Sequence, residues 1–402
     1  MLARLLILLA WAALLAGLTL PSMAPGRANI TTLVMMGIGL VLLAVQSRPR
    51  QVLADWGVRL TLLAGALLFV ALVATASSAM HLAAILILAP LWFFAGHSAL
   101  LTQLGERLRP AVVGGFAIAG AGAGAAIAAA DVLIFGLARG GGSVNNPIHF
   151  ADLTLMLGFV GLVGITEKPK LSLFFMLGPV FALVAIWFSG SRGPFLAFGP
   201  MLVVGGGMLA LLLLPTRRAL LLLAAGGVVL GILSFALISS GAAGRLGDIA
   251  QIGTLLTGTT ADASANERLH MLQSALQAFW ASPIFGHGIL DYTDVAQSYA
   301  PPDMNYRSWG HLHNDVADFA VIAGTLGLLS YVLLVLAPFA SGLANKGRWR
   351  NATIYLGTVT PLGYFAMGLT NAMFGVLAQT TLYAVILSLI AALSRQGKDL
   401  PA

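Results

Sequence analysis

Apolar residues run along this chain in long blocks, without the alternating or one-face patterns of a soluble domain. Twelve blocks stand out, at about 5–20, 30–46, 58–77, 80–101, 111–137, 148–166, 171–190, 194–214, 219–240, 315–340, 352–370 and 376–393. A helix that crosses a membrane takes about 20 mostly apolar residues, so each block predicts one spanning helix, the first two being short. The first block follows Arg4 and has the look of a signal peptide, but further apolar blocks come at once, so it reads as a first spanning helix. The one long polar stretch, 241–314, lies between the ninth and tenth blocks. Loops of that length are functional or disordered, and the helix signals within this one favour function. The expectation is an all-α, polytopic membrane protein of about 12 spans. Nine fall in 1–240, an external subdomain follows in 241–314, and three more spans occupy 315–402.

Composition agrees. Of 402 residues, 59% are hydrophobic and 9% charged, against about 25% charged in soluble domains; mean hydropathy is +0.93. A water-soluble fold and a disordered chain are both excluded. The formal net charge is +7, but the positives are scattered and form no nucleic-acid groove. They sort instead by loop parity. One side holds 15 of the 21 Lys and Arg, including all four lysines, and the other holds Arg27, Arg139, Arg192, Arg245, Arg268 and Arg307. The positive-inside rule makes the first side cytoplasmic, with both termini there and the long loop outside. Every external cation is an arginine, whose planar fork matches phosphate oxygens. Cysteine is absent, which excludes disulfides, Cys-ligated metals and a Cys nucleophile.

Three external segments carry candidate chemistry. Ser189-Gly-Ser-Arg192-Gly-Pro194 interrupts the chain between the seventh and eighth blocks. Pro194 suits the first turn of the next helix, and Arg192 beside that helix start reads either as an anion ligand or as an interfacial snorkelling cation. Ser264-Ala-Asn-Glu267 has the form of a capping box and predicts a helix from about 265 to before Pro283. Its stripe of Leu269, Leu272, Leu276 and Phe279 would lie at the membrane surface. Arg268 falls in its first turn, where the helix dipole disfavours a cation, so it is an anion ligand, an ion-pair partner of Glu267 or a solvated charge.

In the third, His311-Leu-His313-Asn314-Asp315, Asn314 is an N-cap for the tenth span, with Asp315 and Asp318 in its first turn. His313 then stands at a positive helix end that helps keep its imidazole neutral, as a base requires. A structural histidine and a two-His metal site are the alternatives, the latter without a clear third ligand. His81, His97, His149, His270 and His287 show no comparable setting, and Asp131 and Asp152 read as boundary carboxylates paired with Arg139 or solvated. Gly120 and Gly124 form a G-x-x-x-G for close helix packing. No P-loop, nucleophile elbow or zincin motif is present. The external loop holds three arginines against six acids, so any anion site must be local.

Together these segments resemble the O-antigen ligase family, within the superfamily of O-antigen ligases and polymerases. The likeness lies in Ser191-Arg192-Gly193, in Asn266-Glu-Arg268 opening a helix that ends Ser282-Pro-Ile-Phe-Gly286-His-Gly288, and in His313-Asn314 leading to Gly324-Thr-Leu-Gly327. The resemblance implies a GT-C-like, metal-independent, inverting glycosyltransferase of the bacterial inner membrane, without a cofactor. It would move a glycan from undecaprenyl pyrophosphate to lipid A-core on the periplasmic face. Arg192, Arg268 and His313 match the family's essential positions, as pyrophosphate ligands and base. Asn314, Asp318, His311, Arg139 and Asn371 are supporting candidates. The sequence departs where Ile322 or Ala323 replaces a frequent carboxylate, and where Asn371 stands in place of an acid. The carboxylate partner of His313 is therefore unassigned, Asp318 being a candidate. Two other readings stay open. One is an O-antigen polymerase acting on lipid-linked repeats. The other is a transporter or flippase, for which repeated halves and broken midplane helices are lacking.

Overall fold

The computed structural model describes residues 1–45, 52–215, 217–218, 221, 263–302 and 310–396. Among these, every regular element is helical. The order is α1 (Leu2–Leu18), α2 (Pro25–Val45), α3 (Trp56–Thr75), α4 (Ala79–Ala84), α5 (Ala89–Leu101), α6 (Pro110–Leu133), α7 (Pro147–Gly161), α8 (Ser172–Ser189), α9 (Arg192–Leu213), α10 (Ala263–Ala281), α11 (Tyr292–Ser298), α12 (Asp315–Ala344), α13 (Arg350–Gly368) and α14 (Leu377–Arg395).

Eleven of the twelve apolar blocks are helices within a few residues of the expected limits. The ninth, 219–240, lies outside the described residues, as do Arg245 and Arg307. Among the described residues, which leave out the ninth block, nine helices are long and apolar enough to cross a membrane. α1 is a shorter apolar helix. α13 is diluted by polar residues such as Asn351, Thr353, Thr358 and Thr360, and it does not reach the same hydropathy. α1 is nevertheless integral, packing on α2, α5 and α14.

α7 and α14 form the centre, with nearly every side chain buried. Around them α3 pairs with α12, α2 with α5, α6 with α8, and α9 with α13. Small residues allow the closest crossings, as expected where helices in lipid lack a hydrophobic drive to associate. Gly120 of α6 rests on the Leu18 carbonyl and Gly124 on Thr154 and Ser22, which is the close packing expected of that G-x-x-x-G.

α12 is broken at Gly324, whose φ of 60° is left-handed. The segment 283–288 fills the break. The N–H groups of His287 and Gly288 donate to the carbonyls of Val321 and Ile322, both at 2.9 Å, and that of Thr325 donates to the Pro283 carbonyl at 2.8 Å. Gly286 and Gly288 also have positive φ, at 68° and 81°. Side chains at Gly286 and Gly324 would collide with the backbone of the opposing segment. Freed carbonyls inside a membrane protein need such internal partners, so these glycines tie the 283–288 segment to the membrane helix.

α10 spans Ala263–Ala281, and the capping role expected of the Ser264 side chain lies outside what is described. Arg268 lies within this helix. The face that α10 turns to the protein is Met271, Ser274, Ala275 and Ala278, whereas Leu272, Leu276 and Trp280 are exposed. The expected leucine stripe therefore points outward. Ala275 and Ala278 pack with Tyr292, Leu312, Ala317 and Val321, which joins α10 and α11 to the start of α12.

Candidate functional site

The starts of α7, α9 and α12 and the end of α13 meet at one end of the bundle. The Ser191 hydroxyl donates to the Pro147 carbonyl at 3.3 Å. The Asn314 Nδ2 donates to the Leu369 carbonyl at 3.1 Å. A side chain at Gly193 would overlap the Thr370 hydroxyl.

Arg192 opens α9, with Pro194 in its first turn as the sequence implies. The preceding turn is braced by Arg139, whose Nε donates to the Ser189 carbonyl at 2.7 Å and whose guanidinium reaches Ser191 Oγ at 3.0 Å. Ser191 thus turns its hydroxyl away and makes no side-chain cap on α9. The expected pairing of Arg139 with a boundary carboxylate gives way to this bracing role. Asp131 instead accepts the backbone N–H groups of Gly141 and Ser143, at 2.7 and 3.2 Å.

His313 carries the strain at the site. Its φ of 55° is the only positive value on a non-glycine residue among those described, a conformation that clusters at functional positions and costs about 1–3 kcal/mol. Its neighbours hold it there. Leu312 N–H donates to Asp318 Oδ1 at 2.8 Å, His313 N–H donates to His311 Nδ1 at 3.2 Å, and Asn314 caps α12 by accepting from Ala317 N–H at 3.0 Å. Asp318 thus fixes the loop from the first turn of α12, and the Tyr292 hydroxyl of α11 donates to the Gly310 carbonyl at 2.9 Å. Asp315 accepts from the N–H groups of Met373 and Phe374, at 2.8 and 3.2 Å, which ties the start of α12 to the 369–376 connection.

Arg268 reaches in from α10, and its charge acts on Asp152, His311 and His313. Opposite it, His149 of α7 stands beside His311, with ring centroids 5.5 Å apart, and His311 stands 4.3 Å from His313. Asn371 Nδ2 donates to Asp152 Oδ2 at 2.7 Å and lies 2.9 Å from His149 Nδ1. Asp152 and Asn371 are fully buried. Asp152 is thus neither solvated nor paired with Arg139. His149, which has no distinguishing sequence context, belongs to the site. An intramembrane carboxylate is a functional signal, and Asp152 carried it; only the fold supplies its partners.

Burial lowers the His313 pKa to about 4, helped by the positive charge of Arg268 and by His149. Burial likewise lowers that of His311 to about 3, with His313, His149 and Arg268 adding to the effect. Both imidazoles are neutral at pH 7. The arrangement offers an unprotonated imidazole within the electrostatic reach of the Arg268 guanidinium, the pair of functions needed to accept a proton and to hold an anion. Among the described residues, no group of three or more His, Cys, Asp or Glu side chains is arranged to hold a metal ion.

Residues 177–332, about two fifths of the chain, match the family model described as O-antigen ligase. The match spans Arg192, Arg268, His313 and the Gly286–Gly324 clamp, and it bears out the resemblance read from those motifs. No curated protein matches the chain.

Proposed function

We propose that this chain, which carries an O-antigen ligase family domain, is a glycosyltransferase of the bacterial inner membrane. In this reading it transfers a glycan from undecaprenyl pyrophosphate to a sugar hydroxyl of lipid A-core on the periplasmic face. The observation that carries the proposal is His313, neutral and held at positive φ, within the field of Arg268 at the end of the bundle where α9 presents Arg192.

The chemistry follows from those groups. The acceptor hydroxyl oxygen attacks the anomeric carbon of the donor. The bond from that carbon to the pyrophosphate oxygen breaks, and its electron pair leaves with undecaprenyl pyrophosphate. The hydroxyl proton passes to the imidazole of His313. A positioned base contributes about 10²–10⁴-fold. The departing charge falls to Arg192 and Arg268, by analogy with preorganised donors worth about 10²–10³-fold each. Single displacement inverts the anomeric centre and needs no enzyme nucleophile. No metal is required, because two guanidiniums supply the positive charge.

The test is reconstitution. The purified protein in vesicles, given undecaprenyl-pyrophosphate-linked glycan and lipid A-core, is expected to form glycosylated lipid A-core. Elongation of lipid-linked repeats with no product on lipid A-core would assign the chain to the polymerases. Movement of the lipid across the vesicle without glycan transfer would make it a flippase.

A further inference from the structure

His149, Asp152 and Asn371 lie outside the segment that matches the family, yet they adjoin its histidines. The Asn371 amide nitrogen donates to Asp152 Oδ2 at 2.7 Å and stands 2.9 Å from His149 Nδ1. An amide nitrogen carries two hydrogens and only donates, so His149 Nδ1 accepts the second of them. The carboxylate decides this orientation of the amide, because the amide oxygen in the same place would face another acceptor. An imidazole that accepts at Nδ1 is neutral and carries its proton on Nε2, since the cationic ring donates at both nitrogens.

His311 is fixed in the same way from its own loop. The backbone N–H of His313 donates to His311 Nδ1 at 3.2 Å, which again leaves the proton on Nε2. The two rings meet edge to face with centroids 5.5 Å apart. Among the described residues, no group bonds either Nε2. His149 keeps 8% of its surface accessible and His311 is partly exposed. Both rings therefore hold a hydrogen-bond donor in reserve, and the charge of Arg268 acts on His311. Paired donors in a positive field suit an oxygen anion, whereas a metal ion would require lone pairs at the same nitrogens.

We propose that His149 and His311 are further ligands of the donor's pyrophosphate, each giving its Nε2–H to a phosphoryl oxygen alongside the charges of Arg192 and Arg268. This rests on the reading of the site as one for a lipid pyrophosphate. The guanidiniums supply charge, and the imidazoles add directed hydrogen bonds without adding charge. Two more cations beside His313 would make its imidazole a weaker base. Neutral donors let the site hold the anion without that effect.

The test keeps the bonds at Nδ1 and removes the donors. The side-chain oxygen of asparagine can occupy the place of Nδ1, and nothing in that side chain reaches the place of Nε2. His149→Asn and His311→Asn therefore retain an acceptor for Asn371 and for the His313 N–H. Binding of undecaprenyl pyrophosphate is measured on the purified full-length protein in nanodiscs, with the melting temperature of each variant. Each variant is expected to bind about tenfold more weakly or worse, as for the loss of a hydrogen bond to a charged group, and the double variant more weakly still. His149→Gln, whose amide nitrogen can occupy the place of Nε2, is expected to stay within a few-fold of the parent. Parental affinity in either asparagine variant would overturn the assignment of that residue. Equal losses in His149→Asn and His149→Gln would reduce His149 to a structural role. Nitrogen NMR of histidine-labelled parent protein gives a second readout, with signals assigned by their loss in the variants. Both rings are expected as Nε2–H tautomers whose signals shift when the lipid is added; Nδ1–H or cationic rings would overturn the proposal. Arg192→Lys and Arg268→Ala are run alongside. Parental binding in both of these defeats the pyrophosphate reading of the site itself. Weak binding in them with parental binding in the histidine variants defeats only the donor role of His149 and His311.

Discussion

Thr325 donates twice to the carbonyl of Pro283, from its backbone N–H at 2.8 Å and from its hydroxyl at 2.7 Å. One residue of a broken membrane helix thereby holds the segment that follows α10, the helix that carries Arg268. The bonds form because Gly324 turns the α12 backbone outward at positive φ and because Gly286 lets the opposing strand approach.

Gly324→Ala and Gly286→Ala should each weaken the protein. A side chain at positive φ costs about 1–3 kcal/mol, and here it would also meet backbone. The expected outcome is a melting temperature lower by several degrees in detergent, together with reduced transfer as Arg268 loses its support. Gly26→Ala, in open space on α2, should leave the melting temperature unchanged. Equal melting temperatures in all three variants would show the clamp to be incidental.

Arg192→Lys should lower kcat/KM by at least about 10²-fold, because an ammonium cannot reproduce a guanidinium fork on two phosphate oxygens. Arg139→Ala should act more weakly on the same step, since it supports the Ser189–Ser191 turn and is not assigned to the anion. Steady-state kinetics with the lipid-linked donor measures both. Near-normal turnover in Arg192→Lys would reduce Arg192 to an interfacial anchor.

The fold was legible in the sequence because burial in lipid demands long apolar blocks, and eleven of twelve became helices. Arg192, Arg268 and His313 were legible because each sits beside a helix-start or turn signal. His149 was not, because a residue on a fully buried helix shows no face in the sequence, and Asp152 showed only the general signal of an intramembrane carboxylate. Their role comes from Asn371, more than 200 residues away. The stripe of α10, expected at the membrane surface, does turn Leu272 and Leu276 outward.

The lowered pKa values give the sign of the pH dependence. A histidine at about 4 when folded and near 6.5 when unfolded leaves the unfolded chain binding more protons between those values. Its contribution to stability is therefore full above about 6.5 and is lost as pH falls toward 4. For the reaction, the acid limb of kcat/KM should lie well below 6.5. That of kcat should lie higher, because bound pyrophosphate brings negative charge to the site and raises the imidazole pKa. Acid limbs that coincide near 6.5 would mean that His313 is not the group being titrated.

Transfer should continue in excess EDTA, since Arg192 and Arg268 are assigned the charge that a divalent ion would otherwise carry. Loss of activity with recovery on adding Mg²⁺ or Zn²⁺ would revive the two-His metal reading of His311 and His313.

The central claim is that His313 takes the acceptor proton while the arginines hold the donor. Transfer and donor binding measured together on His313→Ala test it most directly, using vesicle-reconstituted protein and undecaprenyl-pyrophosphate-linked glycan. The account predicts product formation lower by about 10²-fold or more with donor affinity within a few-fold of the parent. Parental rates of transfer in that variant, or loss of donor binding in place of turnover, would contradict it.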